Sequence, residues 1–360
     1  MQNRMALDVR TGTLVRLPNA QEIIKEYKTD IKENTNMAKK KKLLVSFDGG
    51  NKESKYYYEL DEKEIARSTR SCIDIVENDT YALNGLTIVN DIGYDFNTSK
   101  GVIETSNENK KHNLYHLGLL VKALIEISEE TGYTKFHLAI TTPLDGFNNM
   151  LEEIKEFYEN NKIFNIEKDG KKKTIEIEHI VVRPEMVSGL NLAGKSVKQG
   201  VVFGLDLGGL NHQYLKLDNF KTDLKNDSFV GEIGYSFIEE NLGSFIRNNS
   251  NKSIKDADIM RYVEEKLGSD NERDTLIQKF FSEVYVPALI EDLEKKSFSA
   301  EFDKIYLMGG TSERFKTFLI QAFEENGANA CIIKKARFAN VIGAYKRAKV
   351  EIEKIEKGNK

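Results

Sequence analysis

From Leu43 onward, short apolar runs alternate with stretches of helical spacing, and this alternation predicts an α/β protein. Leu43–Phe47 reads as a buried strand, with Tyr56–Leu60 as its hairpin partner. Leu117, Leu120, Val121, Leu124 and Ile125 place Leu114–Glu130 on a helix that Gly132 ends. A strand over His137–Thr141 closes at Thr142-Pro143, and Asn148–Asn160 is helical. Ile163–Lys168 and Lys173–Ile180 predict a polar hairpin about Asp169-Gly170. The strand continues through Val181–Pro184 into a helix that starts over Val187–Ala193. Val201–Leu207 is the most apolar strand, and Gln213–Leu217 is its expected return. Helices follow around Ile254–Leu267 and Asp274–Lys295. A strand at Lys304–Met308, a helix at Glu313–Asn326, a strand at Ala330–Lys334 and a helix at Ala339–Ile355 complete the chain. The two halves rhyme: each opens with an apolar strand, an Asp-x-Gly turn and an antiparallel return. No Pro- or Gly-rich linker divides them.

Composition narrows the function. The chain has 360 residues, 40% apolar and 31% charged, which is enough for a sizeable core in one or two domains. No apolar run approaches the roughly 18 to 20 residues that span a bilayer, so no membrane role is expected. The first residues hold no apolar signal region, and Cys72 and Cys331 stand far apart. Both features predict a cytoplasmic protein without disulfides or a thiolate metal site. The five histidines show no ligand spacing along the sequence.

The net charge of −4 argues against a protein that coats nucleic acid. Residues 1–42 carry ten basic and five acidic side chains, ending in Lys39–Lys42, so residues 43–360 are left at −9. Within this basic extension, Leu7–Leu17 predicts a small hairpin about Thr11-Gly12-Thr13, and Ala20–Ile31 has helical spacing. Two readings of it stand: an extension with little structure, or an arm that contacts a neighbouring subunit or an acidic partner.

Candidate chemistry sits in three turns. In Phe47-Asp48-Gly49-Gly50-Asn51-Lys52-Glu53-Ser54-Lys55, Gly50 is expected to take a positive-φ turn that exposes backbone N–H groups to phosphate oxygens. Asp48 at the strand end can hold a hydrated Mg²⁺, and Lys55 can reach back as a point charge. Gly204-Leu205-Asp206-Leu207-Gly208-Gly209-Leu210-Asn211 repeats the Asp-x-Gly pattern. Two such hairpins, facing each other, would clamp a triphosphate and its metal. Ile305–Met308 runs into Gly309-Gly310-Thr311-Ser312 and then a helix, where glycines let a ring or ribose approach the backbone.

With these motifs in this order, residues 43–350 resemble the actin-like ATPase superfamily, most closely bacterial plasmid-segregation actins of the ParM/StbA type. Asp48-Gly49-Gly50-Asn51 through Lys55 resembles the first phosphate motif and Asp206–Asn211 the second. Gly309–Ser312 is similar to the adenosine motif. Ile180–Glu185 is similar to the first connecting segment, which places Glu185 as the catalytic side chain, and Phe338–Tyr345 to the second. The sequence departs from the broader superfamily at Leu210, His212 and Gln213.

The resemblance implies a duplicated, ribonuclease-H-like two-domain α/β fold with a nucleotide cleft between the domains. Domain I would span 43–198, completed by a C-terminal helix at 338–356, and domain II 199–337. ATP, with GTP as the alternative, would be bound with Mg²⁺ held mainly through water by Asp48 and Asp206. The amides at 49–50 and 208–209 would surround the phosphates, and Glu185, assisted by Gln213, would orient the attacking water. Implied partners are further copies in a filament and an adaptor that binds a plasmid centromere, so DNA contact would be indirect. An actin-fold metabolite kinase, a chaperone-like ATPase and a membrane-associated shape-determining actin are the alternatives. No long substrate-binding region follows the last motif, and both ends are charged.

Overall fold

The computed structural model describes residues 5–8, 13–16, 42–76, 86–98, 113–251, 254–264, 270–301 and 303–358. The strands are β1 Met5–Asp8, β2 Thr13–Arg16, β3 Leu43–Gly49, β4 Glu53–Leu60, β5 Lys63–Arg70, β6 Asp74–Val76, β7 Thr87–Val89, β8 Ile92–Asp95, β9 Lys135–Thr142, β10 Ile163–Lys168, β11 Lys171–Pro184, β12 Val201–Leu207, β13 His212–Asp218, β14 Ser228–Gly231, β15 Lys304–Met308 and β16 Asn329–Ile332. β1 and β2 pair antiparallel with Leu7 opposite Leu14, which gives the expected N-terminal hairpin. The helix expected over Ala20–Ile31 lies outside the described residues.

The repeat seen in the sequence is a repeat of topology. A nine-stranded sheet runs β5-β4-β3-β9-β11-β10-β7-β8-β6, and a five-stranded sheet runs β14-β13-β12-β15-β16. In each, three strands meander antiparallel, and two more add in parallel beside the first (β3, β9, β11 and β12, β15, β16). The C-terminal ends of these parallel strands are where such sheets place ligands.

Strand alternation explains the layering. Val45, Phe47, Tyr56 and Tyr58 pack under helix Leu114–Thr131. Leu44 and Tyr57 face the other way, onto helix Ala339–Gly358. Tyr57 meets Tyr345 edge-on at 4.8 Å. The C-terminal helix thus packs on the first sheet. Asn113 caps helix Leu114–Thr131, its side chain accepting from the His116 N–H, and Gly132 ends it at φ 77°. Asp169 and Gly170, at φ 50° and 72°, form the predicted turn of the β10–β11 hairpin. In the second half, Phe203, Leu205 and Leu207 pack against helices Tyr235–Asn249 and Asp270–Glu294. The latter holds a π-helical turn over Phe281–Tyr285 just before Pro287, whose missing N–H interrupts the α-helical ladder.

Two connections cross between the halves. Helix Val187–Leu190 lies against the start of helix Ala339–Gly358 so closely that a Cβ on Gly343 would stand 1.9 Å from the Ser188 carbonyl. Gly343→Ala is therefore expected to cost about 3 kcal/mol of stability by overpacking. Urea denaturation checks this, and an unchanged midpoint would contradict so tight a crossing.

Candidate active site

The first hairpin sets Asp48 at the end of β3 directly opposite Lys55 on β4, with Lys55 Nζ 3.9 Å from Asp48 Oδ2. Both are largely buried. Gly50 does not take the positive φ expected of it. Its glycine character has another cause: a Cβ there would lie 2.5 Å from the Glu53 carbonyl. The loop is held from behind, where Ser71 Oγ donates to the Gly50 carbonyl at 2.5 Å and His116 Nε2 lies 3.2 Å from the Gly49 carbonyl. Asn51 presents a buried Oδ1 with no partner.

The second hairpin pairs Asp206 on β12 with Gln213 on β13. Here the Gly208 N–H closes the turn onto the Asn211 carbonyl at 3.0 Å. The Gly208 carbonyl accepts from the Tyr235 N–H at 3.0 Å and from Thr311 Oγ1 at 2.9 Å. The Gly209 carbonyl accepts from the Ser236 N–H at 2.9 Å. The start of helix Tyr235–Asn249 and Thr311 thereby fix the loop, with Leu210 and Asn211 completing it. The two loops abut: a Cβ on Gly209 would lie 2.9 Å from Lys52 Cγ, and Lys52 reaches over the Tyr235 ring to pair with Glu239.

Between the hairpins lies a buried polar centre. Glu185 follows β11 and is held by its N–H donating to the Thr142 carbonyl at 2.8 Å. Gln213 bridges the halves: its Oε1 accepts from the Leu144 N–H at 3.3 Å and its Nε2 donates to Glu185 Oε2 at 2.5 Å. Met186, next in the chain, takes φ 53°, an unfavourable conformation for a side chain of its size. Asn340 supports it by accepting from the Met186 N–H at 2.9 Å, while its Nδ2 donates to Asp206 Oδ2 at 2.7 Å. Burial pushes Asp206 up to about 6; Lys55 opposes the shift, and the Glu185 and Asp48 carboxylates add to it.

Gly309–Ser312 serves this centre from the side. Gly309 is at φ 94°, and a Cβ there would stand 2.3 Å from Asp206 Oδ1, so only glycine allows the approach. A Cβ on Gly310 would face open space. Thr311 and Ser312 turn inward, Ser312 Oγ donating to the Met308 carbonyl at 2.6 Å. Their side chains thus support the loop, and the open face of the turn belongs to Gly310.

The structure therefore gathers Asp48, Lys55, Asp206, Glu185, Gln213 and Gly309 at one place. It adds Asn340, Lys52 and Tyr235, which motif reading does not single out. Asn340 lies inside the Phe338–Tyr345 segment, and its amide is its only signal. The donor set fits a hydrated divalent cation. Asp48, Asp206 and Glu185 are three buried carboxylates with one ammonium, Lys55, nearby, and a cation would offset the burial and the added repulsion that lift Asp206. Their oxygens do not converge as a direct three-ligand shell, which suits an ion held through its waters.

Residues 35–187 match the family described as "Actin like proteins N terminal domain". The apo ParM protein of psk41 superposes with a TM-score of 0.62 at 18% identity, covering 87% of this chain and 99% of that one. The chain has the actin-like fold. The filament structure of AlfA, from a B. subtilis plasmid, gives a TM-score of 0.55 at 18% identity over 84% of this chain and 97% of AlfA. An archaeal actin homologue in complex with ADP gives 0.60 at 15% identity over 85% and 99%. No curated protein matches by sequence. In this actin-like fold, the Asp48 and Asp206 hairpins come from the two equivalent halves, and the crossing at Gly343 lies beside Asn340. Among the described residues, no helix is long and apolar enough to cross a membrane.

Proposed function

We propose that this protein is a polymerising ATPase whose filaments move plasmid DNA through an adaptor. The observation that carries the reading is the buried Gln213–Glu185 pair, linked through Leu144 to one half and through β13 to the other, with Asp48 and Asp206 on either side. ATP, or GTP in its place, would lie with its phosphates between the Asp48–Lys55 and Asp206–Asn211 hairpins and its base and ribose towards Gly309-Gly310. Asp48 and Asp206 would hold Mg²⁺ through its waters; when bound, the ion neutralises charge on the phosphate oxygens. Lys55 adds a fixed positive charge to the same oxygens. Glu185, oriented by Gln213, would accept a hydrogen bond from the attacking water and take its proton. Loss of the terminal phosphate changes the contacts across the two loops, and so the angle between the halves and the surfaces that neighbouring subunits meet.

We take domain I as 43–198 with the C-terminal helix at 338–356, domain II as 199–337, and the crossing near Gly343 as the hinge between them. Filament formation by AlfA and ADP binding by the archaeal homologue agree with this reading. A phosphate-release assay with ATP and Mg²⁺ tests it. Steady release without any acceptor metabolite is expected. ADP that forms only when a sugar or acid is added, with the phosphoryl group carried on that acceptor and no free phosphate released, would overturn it in favour of a kinase.

A further inference from the structure

At the opposite end of the first sheet from the cleft, the fold makes a cluster that sequence spacing does not show. His137 on β9 and His179 on β11 are register partners in the parallel pairing, and their rings stack with centroids 5.1 Å apart. The register slips between Ile177 and His179, so Glu178 is the extra residue of a bulge. In an unbroken strand, Glu178 and His179 would point to opposite faces; a bulge re-aims them. One ligand atom from each of His137, Glu178 and His179 lies within 4.8 Å of the others, the one such trio among the described residues.

A second observation points to a ligand. His137 is only 4% exposed, yet neither ring nitrogen has a hydrogen-bond partner. Leaving a buried imidazole unmatched is costly. Its Nε2 lies 3.4 Å from Glu356 Oε1 on the C-terminal helix, and Lys42 pairs with Glu178 and stands 3.8 Å from Glu356.

We propose that His137, His179 and Glu178 bind a divalent transition ion of the Zn²⁺ class, with the exposed Glu356 as a fourth, oxygen donor. Two imidazoles and a carboxylate are a donor set that Zn²⁺ takes and that Mg²⁺ and Ca²⁺ do not prefer. Bonds of about 2.0–2.1 Å require the ligand atoms to close in. Half-buried Glu178 and His179 and exposed Glu356 leave room for that change. Lys42 holds the place of the cation and would be displaced. A bound ion would tie β9 and β11 to the end of helix Ala339–Gly358, next to the point where the basic extension joins the first sheet.

Calorimetric titration of the full chain with ZnSO₄, in excess Mg²⁺, tests the proposal, with Co²⁺ absorption as a second readout. One equivalent is expected to bind. His179→Ala and the conservative Glu178→Gln should each weaken binding by at least about tenfold. Lys42→Ala, which removes the competing ammonium, should tighten it. Asp206→Asn should leave it unchanged, which separates this site from the nucleotide cleft. Absence of binding, parent affinity in folded His179→Ala, or loss of binding in Asp206→Asn would each overturn the assignment.

Discussion

Glu185→Gln is expected to slow phosphate release by about a hundredfold or more, the usual loss when a general base is removed, while nucleotide affinity stays near that of the parent. Glutamine keeps the size of the side chain and can still meet Gln213, whose Nε2 donates to Glu185 Oε2. It cannot take a proton from water. Binding should survive because Asp48, Lys55 and Asp206, the residues proposed to meet the phosphates and metal, are unaltered. Filaments of the variant should therefore persist in ATP, since the step that loosens them is blocked. Single-turnover hydrolysis beside calorimetry with a non-hydrolysable analogue separates the two effects. Hydrolysis at the parent rate would remove Glu185 from the mechanism.

Asp206→Asn has opposite consequences for binding and for stability. Loss of the carboxylate should weaken Mg²⁺–nucleotide binding by about tenfold or more, as expected when a buried charge facing a cation is removed. The nucleotide-free protein should become more stable. Asp206 is lifted from 3.8 to about 6 by burial, so the folded state holds the proton more tightly than the unfolded chain. The stability this confers is complete below about pH 4 and is lost as pH rises through about 6, a difference of order 3 kcal/mol. Asparagine does not ionise and escapes that loss. The advantage of the variant over the parent should grow between about pH 4 and 6 and then level off. Urea denaturation across this range, without Mg²⁺, measures it; a constant difference would mean that Asp206 is not the group responsible.

Much of the architecture was legible because β3, β9, β12 and β15 are buried along nearly their whole length, on both faces, and read as apolar runs. Asp48 and Asp206 stand where such runs end, and Gly309 follows the next. Elements that lack this signature were missed. β5 is a polar edge strand, and only Ile65 and Ala66 show its apolar content. Helix Tyr235–Asn249 buries Ile238, Leu242 and Ile246, four residues apart, but Glu239-Glu240 and Gly243-Ser244 break the pattern and no side chain caps its start. Helix Leu144–Asn160 begins before its expected start at Asn148, because Leu144 packs into the core shared with Met186 and Leu215. Within the site, strand ends announce carboxylates, but partners brought in by tertiary packing carry no local signal. Asn340 meets Asp206 from the far end of the chain, Lys52 crosses to Glu239, and His137 meets His179 only through strand pairing.

On the proposed function, nucleotide state at the Asp48–Asp206 cleft governs self-assembly. Sedimentation of the purified chain with Mg²⁺ and ATP, a non-hydrolysable analogue or ADP tests it most directly. Pelleted polymer that later dissolves is expected with ATP, stable polymer with the analogue, and little with ADP. Absence of sedimentable polymer with every nucleotide over a broad protein concentration range, or equal polymer with all three, would contradict it.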